Sequence, residues 1–363
     1  MKFRKKINLS IIGSVGLPPK YGGWETLVDN IIYFLKKDLK VNVFCSSKIY
    51  KKKISNYKGV SIEYINLYPN GFQSIFYDLF SMLCAIRKSD VMLILGVSGC
   101  IFLPLIKMFY RGKIIVNTDG LESERLKWGF FVKMFLRFSE RVAVGFANCL
   151  VVDNQGVAEY IFKKYNRKTT QIAYGGDHVK KIPLTKKIKK KYSIPNFYAF
   201  KVARIEPENN IEMILSSFSK NKFPLIIVGN WNSSKYGKNL IKKYKKVSNI
   251  KILEAIYNLS ILDQIRSNAI FYIHGHSVGG TNPSLVEAMS LGLPIIAYNV
   301  NFNRYTTNNN CLYFKNEKQL NLLIQSINKK KISKIGVKMK KIANQRYKWN
   351  KISHQYLKLI KDQ

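Results

Sequence analysis

The segment His274-Gly275-His276-Ser277-Val278-Gly279-Gly280-Thr281-Asn282-Pro283-Ser284-Leu285-Val286-Glu287-Ala288-Met289 has the residue types and spacing of an anion-binding turn. An apolar run ends there and a glycine-rich turn follows. Asn282 before Pro283 then has the pattern of an N-cap and first helical residue. Backbone N–H groups at such a start can hold a phosphate. Glu287, one turn further on, can face the same pocket and accept hydrogen bonds from sugar hydroxyls. A plain capped helix with a surface glutamate fits the same residues. His274 and His276 are read as pointing to opposite faces of a strand end, and with no third ligand evident the pair does not suggest zinc.

No Asp-x-Asp pair occurs in the chain, so the usual carboxylate clamp for a magnesium-bridged diphosphate is missing. A cation must then come from the protein, and Arg204 in Val202-Ala203-Arg204-Ile205-Glu206-Pro207-Glu208-Asn209-Asn210 supplies one. A guanidinium at the end of a strand can meet a diphosphate through two parallel N–H bonds. The competing reading is an exposed arginine paired with Glu206 or Glu208.

Two segments of the first half also leave strands through polar loops. Gly13-Ser14-Val15-Gly16-Leu17-Pro18-Pro19-Lys20-Tyr21-Gly22-Gly23-Trp24-Glu25-Thr26 is not a dinucleotide fingerprint. Its Gly22 and Gly23 still allow backbone to approach a phosphate or an acceptor closely; a turn followed by a Trp24 staple explains Trp24 but not the paired glycines. Asn117-Thr118-Asp119-Gly120-Leu121-Glu122 places Asp119 and Glu122 as polar acceptors for a hydroxylated ligand. Equally, Asp119 suits a cap on the next helix.

These loops need a scaffold, and short apolar runs alternating with amphipathic stretches indicate β-α units on parallel sheets, hence an α/β fold with its chemistry at strand C-terminal ends. Strands are expected at 7–12, 41–45, 62–65, 91–95, 113–116, 149–152 and 170–173, then at 197–202, 225–228, 250–253, 269–273 and 294–297. Trp24, Leu27, Val28, Ile31, Ile32 and Leu35 form one helical stripe. A chain of 363 residues exceeds one typical core, which makes two domains the natural division. The periodicity breaks after Tyr174-Gly175-Gly176-Asp177, and the lysine-rich segment to Pro195 reads as a linker.

Hydrophobic residues at 47% and charged residues at 23% describe a folded chain, not a disordered one. Lys+Arg 61 against Asp+Glu 21 gives a formal net charge of +40, which favours anionic partners: nucleic acid, an acidic membrane face or phosphorylated substrates. No helix-turn-helix, zinc-finger or RNA-recognition motif accompanies the charge, and nucleic acid is not expected as a partner. Cys45, Cys84, Cys100, Cys149 and Cys311 stand singly and read as buried, reduced thiols of a cytosolic protein. The basic N-terminus leads into a first strand better than into a signal sequence. Residues 91–106, interrupted by Gly96, Gly99 and Pro104, read as strand, turn and buried helix and not as a membrane span.

Taken together, Tyr21-Gly22-Gly23-Trp24-Glu25-Thr26, Asp119-Gly120-Leu121-Glu122, Arg204 with Glu206-Pro207-Glu208-Asn209-Asn210, and Gly279 to Met289 resemble the retaining glycosyltransferases of family 4. More narrowly they resemble the rhamnosyltransferase subgroup of capsule and O-antigen synthesis. The resemblance covers nearly the whole chain in order. It implies the GT-B architecture, two Rossmann-like domains with parallel sheets facing across a cleft. The implied division is an acceptor domain at 1–177, a linker at 178–195, a nucleotide-sugar donor domain at 196–345, and a C-terminal helix at 346–363 crossing back to the first domain.

By the same resemblance Asp119, Arg204 and Glu287 would be catalytic, with Arg204 neutralising the donor diphosphate and Glu287 holding a ribose or deoxyribose hydroxyl. Gly279, Gly280, Thr281, Asn282, Ser284 and Leu285 would bind the donor. Gly22, Gly23, Glu25 and Glu122 would form the acceptor or phosphate loop. No metal and no cofactor beyond the nucleotide diphosphate-sugar substrate is expected. The implied activity is transfer of rhamnose from dTDP-rhamnose to a lipid-linked saccharide at the anionic inner face of the plasma membrane; a UDP- or GDP-sugar donor, or an inactive sugar-binding relative, are the rival readings. Two positions depart from the broad family: its first motif glutamate falls at Gly279, and the lysine following its arginine falls at Asn209.

Overall fold

A computed structural model describes residues 6–20, 22–118 and 120–362, excluding the side chains of Lys329 and Lys331. Asp119 and Tyr21 therefore lie outside the described residues. The chain divides into two compact units, one running to Glu124 and including Trp128–Ala173 and the segment from Trp349, the other comprising Arg125–Lys127 and Tyr174–Lys348.

The first unit is built on β1 (Asn8–Ile12), β2 (Lys40–Ser46), β3 (Asn56–Tyr57), β4 (Val60–Ile65), β5 (Val91–Leu95), β6 (Lys113–Asn117), β7 (Cys149–Val152) and β8 (Thr170–Gln171). Their order is β3-β4-β2-β1-β5-β6-β7-β8, parallel except for the β3/β4 hairpin. The interior strands read as unbroken apolar runs because helices cover both faces: every residue of β5 is buried. The helices are α1 (Gly23–Leu35), α2 (Gln73–Ala85), α3 (Leu103–Phe109), α4 (Phe130–Phe146) and α5 (Gln155–Tyr165). The α1 stripe forms as its spacing requires, with Leu27, Val28, Ile31, Ile32 and Leu35 buried. Residues 91–106 are β5, a 3-10 turn at Ser98–Phe102 and the start of α3. No helix among the described residues is long and apolar enough to cross a membrane. One expectation fails: Cys84 is exposed and Cys149 and Cys311 are only partly buried, because Cys84 falls on the outward face of α2.

The second unit carries α6 (Lys186–Tyr192), β9 (Ala199–Val202), α7 (Ile211–Ser219), β10 (Leu225–Val228), α8 (Lys235–Tyr244), β11 (Ile250–Leu253), α9 (Leu259–Arg266), β12 (Phe271–His274), α10 (Pro283–Ser290), β13 (Ile295–Tyr298), α11 (Asn301–Thr307), β14 (Leu312–Phe314), α12 (Glu317–Gln325) and α13 (Lys329–Arg346). Its sheet is parallel throughout, in the order β11-β10-β9-β12-β13-β14. Ala199, Ile214, Leu215, Phe218, Ile227, Trp231, Phe271 and Ile273 are the centre of its core. The segment 178–195 is not a free connector. Asp263 of α9 accepts from Lys180 N at 3.0 Å, Gln264 accepts from Thr185 N at 3.2 Å, and Ser267 just beyond accepts from Ile182 N at 3.2 Å, so the lysine-rich strand is laid along α9. The final helix, α14 (Trp349–Lys361), packs with the first unit, where Tyr356 Oη accepts from Asn117 Nδ2 at 2.8 Å and Leu359 O from Lys113 Nζ at 2.7 Å.

Candidate functional site

In an open parallel sheet the loops leaving the carboxyl ends of two strands diverge where the strand order reverses, and ligands bind in that crevice. In the second unit β9 lies between β10 and β12, so the reversal falls between β9 and β12. The β9 loop carries Arg204 to Asn210, and the β12 loop carries Gly275 to Asn282. The two segments picked out by residue chemistry are thus the two loops of one switch point.

Backbone and side-chain bonds stitch these loops together. Glu208 O accepts from Ser277 N and from Ser277 Oγ, both at 2.9 Å, and Gly275 O accepts from Asn210 Nδ2 at 2.7 Å. A Cβ at Gly275 would stand 2.4 Å from Asn209 O, which is why no side chain is tolerated there. Asn209 itself is buried and donates from Nδ2 to Arg204 O at 2.7 Å. It braces the arginine's own backbone, a short reach that the longer side chain of a lysine does not reproduce. Arg204 faces Glu206, Nε to Oε2 at 3.7 Å, with 47% of its side chain exposed. An ion pair that long and open to water is weak, which leaves the guanidinium available to an anion.

The helix start forms as its residues require, with Asn282 as N-cap and Pro283 in the first turn. Asn282 Oδ1 accepts from Ser284 N at 3.1 Å, Asn282 O accepts from Leu285 N and Val286 N, and Pro283 has no N–H. The first turn of α10 is therefore satisfied internally, and the donors left for a phosphate are those of the preceding loop. Ser284 Oγ is held by Tyr272 Oη and Asn282 Oδ1, both at 2.8 Å, and the Leu285 side chain is fully buried. These two residues, expected to touch a donor, belong to the frame of the site. Gly279 has φ +136°, a conformation side chains rarely adopt, and a Cβ there would meet nothing within 4 Å. The family glutamate is absent from an open position. Gly280 adjoins it in the loop, and Thr281 is buried.

Glu287 is not a surface residue. Its Oε2 accepts from Arg266 Nη1 at 2.5 Å and its Oε1 lies 3.2 Å from His178 Nε2. Arg266 is also held by Asp263 at 2.6 Å. Burial works against the Glu287 charge, but Arg266 and His178 outweigh it and hold the carboxyl below its ordinary range. The result is an ionised acceptor of fixed orientation.

The imidazoles of His274 and His276 do not point apart. Residues two apart on an extended chain share a face, and the rings stack with centroids 4.4 Å apart and planes at 10°. Burial, and then the Lys201 charge in the case of His274, pushes both well below the usual histidine range, so both are neutral at physiological pH. Lys201 in β9 is fully buried with no hydrogen-bond partner for Nζ among the described residues, and burial pushes it down to about 7. The Glu208 carboxylate is buried and equally unpartnered. Lys201, His178, Arg266 and Tyr272 lay outside the sequence reading. A lysine inside an apolar four-residue strand was the one visible signal among them. Among the described residues no group of three or more His, Cys, Asp or Glu could hold a metal.

In the first unit Gly22 and Gly23 stand at the start of α1, and a Cβ at Gly22 would come within 2.3 Å of Glu25 Oε2. Glu25, expected to line an acceptor or phosphate loop, is instead buried beneath that loop, where its Oε1 accepts from Val15 N at 2.7 Å. Burial outweighs this bond and raises its carboxyl to about 7. Glu122 opens a 3-10 turn at Glu122–Glu124.

Residues 185–348 match the family of glycosyl transferases group 1. The second unit carries a group 1 glycosyltransferase domain. Residues 6–177 match a domain of unknown function, DUF1972. No curated protein sequence matches the chain. Among solved structures, sucrose-phosphate synthase from Thermosynechococcus elongatus is 14% identical with a TM-score of 0.80, covering 98% of each chain. Anabaena HepE in complex with UDP and glucose is 14% identical with a TM-score of 0.75, over 99% of this chain and 100% of that one. WaaG, a glycosyltransferase involved in lipopolysaccharide biosynthesis, is 12% identical with a TM-score of 0.73, over 98% and 100%. The α/β fold with two parallel-sheet units is that of the GT-B glycosyltransferases.

Proposed function

We propose that the chain is a retaining glycosyltransferase that takes a sugar from a nucleotide diphosphate-sugar without a metal. The observation that carries this reading is that Arg204 and the Gly279–Asn282 segment lie on the two loops that leave the adjacent strands β9 and β12 at the switch point of the group 1 domain. Arg204 and the loop N–H groups take the charge that develops on the departing diphosphate. Glu287, kept ionised by Arg266, accepts from a ribose or deoxyribose hydroxyl. No side chain of the site is placed as a nucleophile among the described residues, and in this reading the acceptor oxygen attacks from the face the diphosphate leaves, and the leaving phosphate takes its proton. Asp119, outside the described residues, is assigned to the reacting carbon on the family resemblance alone.

The preferred donor is dTDP-rhamnose and the preferred acceptor a lipid-linked saccharide of capsule or O-antigen synthesis, both from the subgroup motifs. The formal net charge of +40 suits an enzyme working peripherally on the anionic inner face of a membrane. A UDP-hexose donor is the second reading, favoured by the HepE structures with UDP and with UDP-glucose. Calorimetric titration with dTDP, UDP and GDP and their sugars, in the presence of a chelator, tests the reading. Binding of one nucleotide class without added metal supports it; no binding of any, or binding only when a divalent ion is restored, sinks it.

A further inference from the structure

Three helices of the first unit turn large apolar side chains outward. Phe72, Phe76, Phe80 and Leu83 follow one another along α2 and its entry at helical spacing, all exposed. On α3 they are Leu105, Met108 and Phe109, and on α4 Phe130, Phe131, Met134 and Phe138. Phe131 is 77% exposed, Phe72 76% and Met108 75%. The helices are gathered about the 3-10 turn Ser98–Phe102. Asp78 of α2 accepts from Ser98 Oγ at 3.2 Å, Ser139 of α4 donates to Val97 O at 2.5 Å, and α3 continues directly from the turn. Phe76 and Phe102 rings lie 6.5 Å apart across one seam. Neighbouring helices about one turn thus each expose a row of large apolar side chains, more than scattered exposed hydrophobics explain.

The exposed charges carried by these three helices are positive, and one of them, Arg137, pairs with the exposed Glu124 beside α4 at 3.1 Å. α3 has no carboxylate, and the only acidic residues of α2 and α4, Asp78 and Glu140, are buried. Lys107, Lys133, Arg137 and Arg141 lie on the same helices, and Arg137 and Arg141 share the exposed side of α4 with Phe130, Met134 and Phe138. A helix that shows phenylalanine and methionine to solvent beside arginine is built as interfacial helices are, apolar side chains reaching the acyl boundary and cations at the headgroups. A second copy of this chain is disfavoured, since the same face would set its arginines against each other on molecules of formal charge +40.

We infer that the α2–α3–α4 face inserts into an anionic lipid bilayer and holds the enzyme there by apolar burial as well as by charge. This rests on the proposed membrane-facing function and names the surface that performs it. The distinction from binding by lysines alone is a salt-resistant part, because at about 1 M salt the Debye length falls to about 3 Å while apolar transfer persists.

The test is flotation of the full chain with phosphatidylglycerol/phosphatidylcholine vesicles in low and high salt. The inference predicts wild-type binding that weakens but persists in high salt. The triple variant Phe131→Ser, Met134→Ser, Phe138→Ser loses the persistent part, at least about tenfold in partitioning. A control triple of other exposed residues, Tyr33→Ser, Leu322→Ser and Val337→Ser, does not. As a second readout, Phe131→Trp emission shifts to the blue on vesicles and is quenched by brominated acyl chains, whereas Tyr33→Trp is not. Equal partitioning of the test triple and wild type, binding abolished by salt alone, or a vesicle-free dimer dissolved by the test triple overturns the inference. Nucleotide-sugar turnover, measured separately without vesicles, keeps the two claims apart: turnover without insertion removes only this face, and insertion without turnover removes only the proposed function.

Discussion

Two buried charges of the second unit have opposite fates, and each makes its own prediction. Lys201 has no hydrogen-bond partner among the described residues, and burial lowers it from 10.5 to about 7. Its folded value lies below its unfolded one, so between those values the unfolded chain binds more protons and stability rises with pH. Lys201→Met is expected to raise stability by up to about 5 kcal/mol below pH 7, the gain shrinking as pH approaches 10; urea unfolding across that range reads it. Glu287 behaves in reverse. Its lowered carboxyl adds stability present above the ordinary value of 4.5 and lost as pH falls through the folded value. Arg266→Met removes the guanidinium that pairs that carboxylate and Asp263, leaving them His178 and Lys180 N, and a loss of about 3 kcal/mol in the same unfolding experiment is expected. A change below about 1 kcal/mol would show that water already pairs these groups.

At the scale of elements, the β9 and β12 loops act as one piece because Ser277 and Asn210 bond across them. Gly275→Ala puts a methyl against Asn209 O and is expected to cost about 1–3 kcal/mol. Donor affinity should fall with it, since Arg204 sits on the displaced backbone; unchanged affinity in calorimetry would mean the loops are not coupled. The strands that carry these loops were legible because interior parallel strands are short apolar runs, and Val91–Leu95, Leu225–Val228 and Ile250–Leu253 form at their expected limits. β3 and β14, two and three residues long, were not legible, since such runs are too short to show a period. The 178–195 segment looked like a linker because its pairing runs through α9 side chains, which leave no periodic mark. In the site, chemistry picked out Arg204, the Gly279–Asn282 loop and Glu287. Side-chain partners far apart in sequence, such as His178 and Arg266 on Glu287, cannot be read from spacing.

For the whole molecule, two compact units, the first completed by α14, account for the chain's organisation. The most direct measurement is release of nucleoside diphosphate from a panel of nucleotide sugars, with a saccharide acceptor, by wild type and Arg204→Ala. The account predicts that wild type consumes one donor class without added metal and that Arg204→Ala slows turnover about 100-fold or more while keeping its fold. Wild-type turnover in Arg204→Ala, or no donor consumed by wild type at all, would contradict it.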